Sequence, residues 1–167
     1  MVNTATIEES KIRTLLETVT DPEIPVLSII DLGMLREIKI EGDLIEVVFT
    51  PTYSGCPATD MISATIKMVL QENGYSNVKI TSVLSPAWTT DWMTEEGKKK
   101  LKTYGIAPPN PKQQVCHQEL FLPDEAVQCP RCDSWSTHRI SEFGSTACKA
   151  LYQCDNCKEP FDYFKCH

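Results

Sequence analysis

The chain of 167 residues is 41% hydrophobic and 23% charged, with a formal net charge of −7. This balance is typical of a globular protein, and no apolar run approaches the ~20 residues that span a bilayer. The acidic balance argues against nucleic-acid binding, which normally leaves a basic patch. The N-terminal residues lack the basic and apolar segments of a secretion signal, so we expect a cytoplasmic protein. From its charge and hydropathy we expect it to bind neither nucleic acid nor membrane.

The first predicted element is an amphipathic helix whose apolar residues recur at helical spacing, at Ile12, Leu15, Leu16 and Val19. It ends at Asp21-Pro22-Glu23-Ile24-Pro25, where two prolines exclude a regular helix and impose an extended turn. This turn fixes the positions of Asp21 and Glu23. Judged by composition alone, the two carboxylates are a solvated acidic pair beside a helix stop.

Apolar periodicity and turn residues predict a compact α+β domain after this turn. The predicted strands and helices are, in chain order, residues 34–40, 44–49, 58–73, 76–84 and 94–104. Glu41-Gly42-Asp43 joins the first two strands into a hairpin. The third strand returns through a helix and therefore lies parallel to its neighbour by a right-handed crossover. We expect a small mixed β-sheet packed with helices.

The stretch from Thr50 to Pro57 joins the second strand to the next helix and is where the chemistry of this domain is expected. Cys56 occupies the strand-to-helix turn, and Pro57 suits the helix start because its missing N–H would be unpaired there. The positive end of the helix dipole and its free N–H groups lower the pKa of a thiol. Cys56 is therefore a candidate nucleophile or metal ligand; the alternative is a small buried hydrophobic residue.

A proline-rich stretch at residues 107–126 divides the chain into two folded parts. Its prolines, together with Lys112, Gln113 and Gln114, are typical of a semi-extended linker. We predict an α/β domain at residues 1–106, this linker, and a C-terminal module at residues 127–167. Cys116 and His117 lie in the linker, and a single Cys-His pair is a weak metal signal.

The C-terminal module carries two cysteine pairs, Cys129/Cys132 and Cys154/Cys157, in the order C-x2-C, 21 residues, C-x2-C. A hairpin between such pairs directs four thiolates at one metal, and this spacing is typical of zinc ribbons. Rubredoxin-type iron or an iron–sulfur cluster is the alternative. About 40 residues bury too little apolar surface to fold alone, so metal binding is expected to supply most of the folding free energy. With all four positions taken by protein, the zinc is structural.

The other cysteines of this half of the chain have no assigned role. Cys148 falls inside the ribbon loop, where a packed small residue is the simplest interpretation and a reactive thiol is the alternative. Cys166 stands beside the C-terminal His167, and Cys116 stands beside His117. We assign no metal ligand here beyond the four paired cysteines.

Three motifs carry a resemblance to a known family: Asp21-Pro22-Glu23-Ile24-Pro25, Ile30-Asp31-Leu32-Gly33 and Ser54-Gly55-Cys56-Pro57. In this order and spacing, they make residues 7–106 resemble the iron–sulfur assembly domain family, which includes the SufT-like maturation factors. Residues 143–149 and 159–166, around the ribbon, single out one branch of that family. Over nearly all its length the chain is similar to this branch, the PaaD (also called PaaJ) subunits encoded with bacterial phenylacetyl-CoA epoxidases.

The resemblance implies an accessory role in aerobic phenylacetate breakdown, without catalysis by this chain alone. The oxygenase and reductase subunits of the epoxidase system would be its partners, and it would mature or load the iron or iron–sulfur centre of one of them. Cys56 would bind iron or a cluster transiently, with Asp21 and Glu23 as candidate oxygen ligands. A cluster usually takes four cysteines, so a homodimer, a partner's cysteine or the two carboxylates would complete its ligands.

Two other functions stay open at this point. One is a protein adaptor that docks through the zinc ribbon. The other is a stand-alone thiol or redox enzyme that uses Cys56, a class that normally places a base beside the thiol. The three histidines of the chain, His117, His138 and His167, all lie in the predicted linker or ribbon and none in the Cys56 domain.

Overall fold

The computed structural model describes residues 4–109 and 127–165, with side chains from residue 8 onwards. The chain forms two compact units, Met1–Gly97 and Lys98–His167. Each unit contains a β-sheet, and the first sheet is small and mixed, so the predicted α+β class is confirmed. Within the described ranges, no helix is long and apolar enough to cross a membrane. Most of the predicted linker, with Cys116 and His117, lies outside the described residues, as do Cys166 and His167.

The first unit is built on three strands. Its elements are helix α1 (Thr4–Leu16), strands β1 (Leu35–Glu41) and β2 (Leu44–Phe49), helix α2 (Ala58–Glu72), strand β3 (Asn77–Ser82) and the start of helix α3 (Glu95–Tyr104). β1 and β2 pair antiparallel around the turn at Gly42. β2 and β3 pair in parallel because α2 carries the chain back along the sheet. The predicted hairpin and crossover are confirmed.

Helix α2 fixes the hydrophobic core of the first unit. It packs against β3 and α1 and buries every fourth residue on one face, at Ala58, Ile62, Ile66 and Leu70. The adjoining end of β2 is buried from Val47 to Phe49. Each such aliphatic side chain stabilises the fold by roughly 1.5–3 kcal/mol. The turn that contains Cys56 is therefore held between two well-packed elements.

A network of close contacts ties the loop before β1 to the segment that enters α3. Asp31 Oδ2 accepts hydrogen bonds from the Ser28 N–H at 3.0 Å and the Ser28 hydroxyl at 2.9 Å. The Asp31 carbonyl accepts another from the Thr94 N–H at 2.9 Å. Gly33 adopts a φ of 66°, and a Cβ at this position would collide with the Trp92 carbonyl. The Ile30–Gly33 motif thus has a packing role.

The second unit is a four-stranded sheet of order β4-β7-β6-β5. Its strands are β4 (Ile106–Ala107), β5 (Thr137–Ser141), β6 (Lys149–Cys154) and β7 (Pro160–Phe164). The last three form an antiparallel ribbon, and β4 pairs in parallel with β7. The division predicted at residues 106 and 126 stays a prediction. The compact units separate earlier, between Gly97 and Lys98, because β4 is part of the second sheet.

Candidate metal centres

Cys56 lies in the turn between β2 and α2, next to the start of the helix. Its N–H donates to the Tyr53 carbonyl, and its carbonyl accepts from the Thr59 N–H, both at 3.2 Å. Pro57 precedes the first helical residue, Ala58. Only 8% of Cys56 is exposed to solvent. The backbone therefore holds the thiol at the helix N-terminus, as the sequence indicates, but in a largely buried position.

The electrostatic surroundings of Cys56 differ from the expectation. Burial raises the pKa of the Cys56 thiol, and the carboxylates of Glu23 and Asp21 raise it further. Hydrogen bonds from the Ala58 N–H and the Thr59 side chain lower it, but they do not outweigh the other effects. The expected lowering of this pKa is therefore wrong, because the helix start is buried beside two acidic side chains. A cation bound here would offset all three unfavourable effects on the thiolate.

The turn that follows α1 places Asp21 and Glu23 within electrostatic range of Cys56. Asp21 Oδ1 accepts hydrogen bonds from the Glu23 N–H at 2.8 Å and the Ile24 N–H at 2.9 Å, which closes the turn. Asp21 is only 6% exposed, so its interpretation as a solvated carboxylate is wrong. Pro22 and Pro25 have no N–H group, so the Glu23 and Ile24 N–H groups are the donors that this short segment offers to Asp21. Both carboxylates thus act on the Cys56 thiol through their charge. Among the described residues, only the four paired cysteines place three or more ligand atoms close enough together to share one metal ion.

Sequence reasoning did not single out Thr50, at the end of β2. Its side-chain oxygen is buried and lacks a hydrogen-bond partner among the described residues. An unpaired buried hydroxyl costs about 1–3 kcal/mol. Thr50 precedes Cys56 by six residues in the sequence, and no contact within the described part of the chain explains the burial of its hydroxyl. A threonine directly after an apolar strand was the only sequence signal for it.

The four paired cysteines of the second unit form one cluster. The Sγ atoms of Cys129, Cys132, Cys154 and Cys157 all lie within 4.8 Å of one another. Cys129 and Cys157 are 3.8 Å apart at sulfur, and Cys132 and Cys154 are 3.6 Å apart. Tetrahedral zinc with Zn–S bonds of about 2.3 Å places its sulfurs about 3.8 Å apart. The donor set therefore fits a structural zinc ion with four protein ligands.

Both cysteine pairs sit on equivalent turns. In the first, the Asp133 N–H donates to the Cys129 carbonyl at 3.0 Å, and Asp133 has a φ of 59°. In the second, the Lys158 N–H donates to the Cys154 carbonyl at 2.9 Å, and Lys158 has a φ of 64°. Such a left-handed residue after each pair curls the backbone around the two thiols. The predicted hairpin between the pairs is β5–β6.

Two of the four crowded thiols, Cys132 and Cys157, differ in how readily they lose a proton. The Ser134 N–H is the main cause that lowers the pKa of Cys132, to about 6. The Glu159 N–H lowers the pKa of Cys157, but burial and the neighbouring thiols raise it to about 12 overall. The first thiolate forms easily, and the last needs a cation to offset its repulsion with the others. This is the electrostatic pattern expected of a metal-binding set.

Known protein families match both the part of the chain that contains Cys56 and the part that contains the cysteine cluster. A family model described as an iron–sulfur cluster assembly protein matches residues 9–81, and one described as the PaaD zinc beta ribbon domain matches residues 113–165. The chain is 55% identical over 152 residues to the putative 1,2-phenylacetyl-CoA epoxidase D subunit of Escherichia coli (strain K12). That match spans 91% of this chain and 89% of the relative. The chain belongs to the PaaD family.

Two further proteins match about half of this PaaD family member. An Fe-S protein maturation auxiliary factor of Porphyromonas gingivalis (strain ATCC BAA-308 / W83) is 38% identical over 56% of this chain and 90% of its own length. The crystal structure of a domain of unknown function, DUF59, from Bacillus anthracis superimposes with a TM-score of 0.53 at 28% identity. It covers 56% of this chain and 90% of the DUF59 chain. The predicted fold and family resemblance are confirmed.

Residues 143–149 contact residues 159–165 in the ribbon, where the Ser145 hydroxyl donates to the Asp162 carboxylate at 2.8 Å. Gly144 packs so closely on the Asp162 carboxylate that a Cβ would collide with it. Cys148 is only 3% exposed and lies outside the four-cysteine cluster. These segments therefore shape the ribbon, and the position of Cys148 agrees with a packed small residue.

Proposed function

We propose that this protein is an accessory factor of a phenylacetyl-CoA epoxidase system. In this role Cys56, Asp21 and Glu23 take iron or an iron–sulfur cluster as cargo and pass it to the oxygenase or the reductase. The observation that carries the proposal is one buried thiol at a helix start, with two carboxylates within electrostatic range of it. These residues lie within residues 9–81, which match the iron–sulfur cluster assembly family model, and about half of the chain is similar to an Fe-S protein maturation auxiliary factor.

The donor set suits cargo that is held and then released. Thiolate sulfur binds iron well, and carboxylate oxygens are hard ligands that also accept it. A cluster usually takes four cysteine ligands, and this site supplies one thiol with two carboxylates. Two protomers of a homodimer, or a cysteine of the receiving protein, would complete the ligands during transfer. Incomplete ligation by one chain makes binding weak enough for hand-over.

The ribbon has a different part in this proposal. The cysteine cluster of the second unit would hold zinc permanently, with no open position for water or substrate. The chain would not be catalytic alone, because no histidine occurs in residues 1–97 to act as a base for Cys56. It would work in the cytoplasm with protein partners, and without nucleic acid or membrane.

The test is genetic and analytical. We expect a Cys56→Ser strain to assemble the epoxidase but leave it short of iron or cluster, with growth on phenylacetate impaired. Ser54→Ala is the matched control, since Ser54 lies exposed in the same turn. Iron and sulfide analysis of the purified epoxidase subunits gives the readout. A Cys56→Ser strain that grows normally on phenylacetate and holds a fully loaded epoxidase would overturn the proposal.

One observation favours a second candidate function, that of an adaptor that docks through the ribbon. Trp135, Ile140 and Phe143 are large apolar residues that are 55%, 50% and 61% exposed. Ile140 stands out from β5 because the strand bulges between Arg139 and Ser141. An adaptor predicts that Ile140→Ser combined with Phe143→Ser abolishes growth on phenylacetate while Cys56→Ser does not. The opposite pattern excludes it.

A further inference from the structure

A short stretch before the undescribed segment is part of the zinc-ribbon sheet. Ile106 pairs with Asp162 and Ala107 with Tyr163, so β4 lies parallel to β7 at the edge of the sheet. Ile106 is 5% exposed and Ala107 is fully buried. Residues 98–107 therefore pack as part of the second unit.

The metal-binding cysteines and β4 share one hydrophobic cluster. Its buried members are Ala107, Val127, Cys129, Ala150, Tyr152, Cys154, Phe161 and Tyr163, and Cys157 packs against them. Three of the four candidate zinc ligands thus contact the core that covers Ala107. A core packed at crystal-like density transmits a change at one wall to the others. Disorder of the cysteines is therefore expected to loosen the packing of β4 against β7 and this core.

A polar contact links the same two regions. The Lys102 ammonium of α3 forms an ion pair with the carboxylate of Asp133 at 2.5 Å. Asp133 directly follows the ligand Cys132 and has the left-handed backbone that shapes the first cysteine turn. Both side chains are about half exposed, so this pair orients the segment more than it stabilises it.

We propose that zinc binding at the four cysteines and docking of the segment Lys98–Pro109 on the ribbon are one coupled event. Zinc orders the core on which Ala107 sits, and a docked β4 in turn raises the affinity for zinc. By thermodynamic linkage, the factor by which zinc favours docking of β4 equals the factor by which docked β4 raises the affinity for zinc. Such coupling depends on zinc in the ribbon and is independent of iron at Cys56.

The affinity arm of the test uses full-length protein and competition with a chromophoric zinc chelator. A charged side chain at the fully buried position of Ala107 blocks docking, so Ala107→Glu should weaken zinc binding about tenfold or more. Ala64→Glu is the matched control: the same change on the exposed side of α2 should leave zinc affinity unchanged. Unchanged zinc affinity in Ala107→Glu would contradict the coupling.

The second arm needs no variant and decides the question even if Ala107→Glu folds poorly. Hydrogen–deuterium exchange is followed in wild-type protein with zinc and after chelation. We expect the amides of Ile106 and Ala107 to lose protection together with those of β6, while α2 keeps its protection. Amides at positions 106 and 107 that stay protected after β6 has opened would overturn the proposal.

Discussion

Burial and two nearby carboxylates disfavour the thiolate form of Cys56, although it stands at the start of a helix. Its pKa is raised by burial, by Glu23 and by Asp21, against the N–H of Ala58. A catalytic cysteine needs the reverse, a lowered pKa that supplies thiolate. A metal ligand does not, because the bound cation displaces the proton. The surroundings of this side chain therefore favour binding of a cation over nucleophilic catalysis.

Gly33 and Gly42 offer a matched pair of substitutions. Both have positive φ, 66° and 64°, but a Cβ at Gly33 would collide with Trp92, whereas one at Gly42 meets nothing within 4 Å. Gly42→Ala should cost about 1 kcal/mol for left-handed backbone. Gly33→Ala should cost about 1–3 kcal/mol more from the collision. Urea unfolding followed by tryptophan fluorescence measures both, and equal losses would show that the loop is not tightly packed.

Helix α1 is joined to the segment that follows α2 by a hydrogen bond that the Tyr75 hydroxyl donates to Glu8. This bond is the main cause that lowers the pKa of Glu8 and raises the pKa of Tyr75. Its stabilisation is therefore present above the ordinary Glu8 value of 4.5 and is lost as pH falls through the lowered pKa. It is also lost as pH rises above the ordinary Tyr75 value of 10.0 and through the raised pKa.

Tyr75→Phe tests this attachment of α1. The free energy of unfolding of wild type should exceed that of Tyr75→Phe at neutral pH, and the difference should shrink in acid. Tyr104→Phe is the control, since Tyr104 is 55% exposed and belongs to the other compact unit. Denaturant unfolding at several pH values gives the comparison. A difference that does not change between neutral and acidic pH would exclude the bond as its source.

The two compact units are expected to differ in their dependence on metal. Cys154→Ser removes one of four ligands, and a structural zinc site supplies on the order of 10 kcal/mol of folding free energy. The ribbon strands should then lose zinc and unfold, while residues 4–97 stay folded on their own core. Zinc analysis with hydrogen exchange checks this. Parallel loss of protection in α2 would show that the units do not fold independently.

Local sequence patterns explain much of this architecture. The fourfold spacing of Ala58, Ile62, Ile66 and Leu70 predicts α2, and the C-x2-C pairs predict the ribbon. Strand β4 was not predicted, because two residues, Ile106 and Ala107, are too few to show a periodic pattern. Their partner strand also lies more than fifty residues later in the sequence. The burial of Asp21 could not be predicted from the sequence either. It depends on backbone N–H groups and on packing that become neighbours only after folding.

Iron loading of purified protein tests most directly the proposal that Cys56 holds iron or a cluster as cargo. Full-length wild type, Cys56→Ser and Ser54→Ala are incubated anaerobically with ferrous iron, with and without sulfide, and bound iron is measured after desalting together with the visible spectrum. We predict iron on wild type and Ser54→Ala that a chelator removes, none on Cys56→Ser, and equal zinc in all three. Equal iron on Cys56→Ser and wild type, or no iron on wild type, would contradict it.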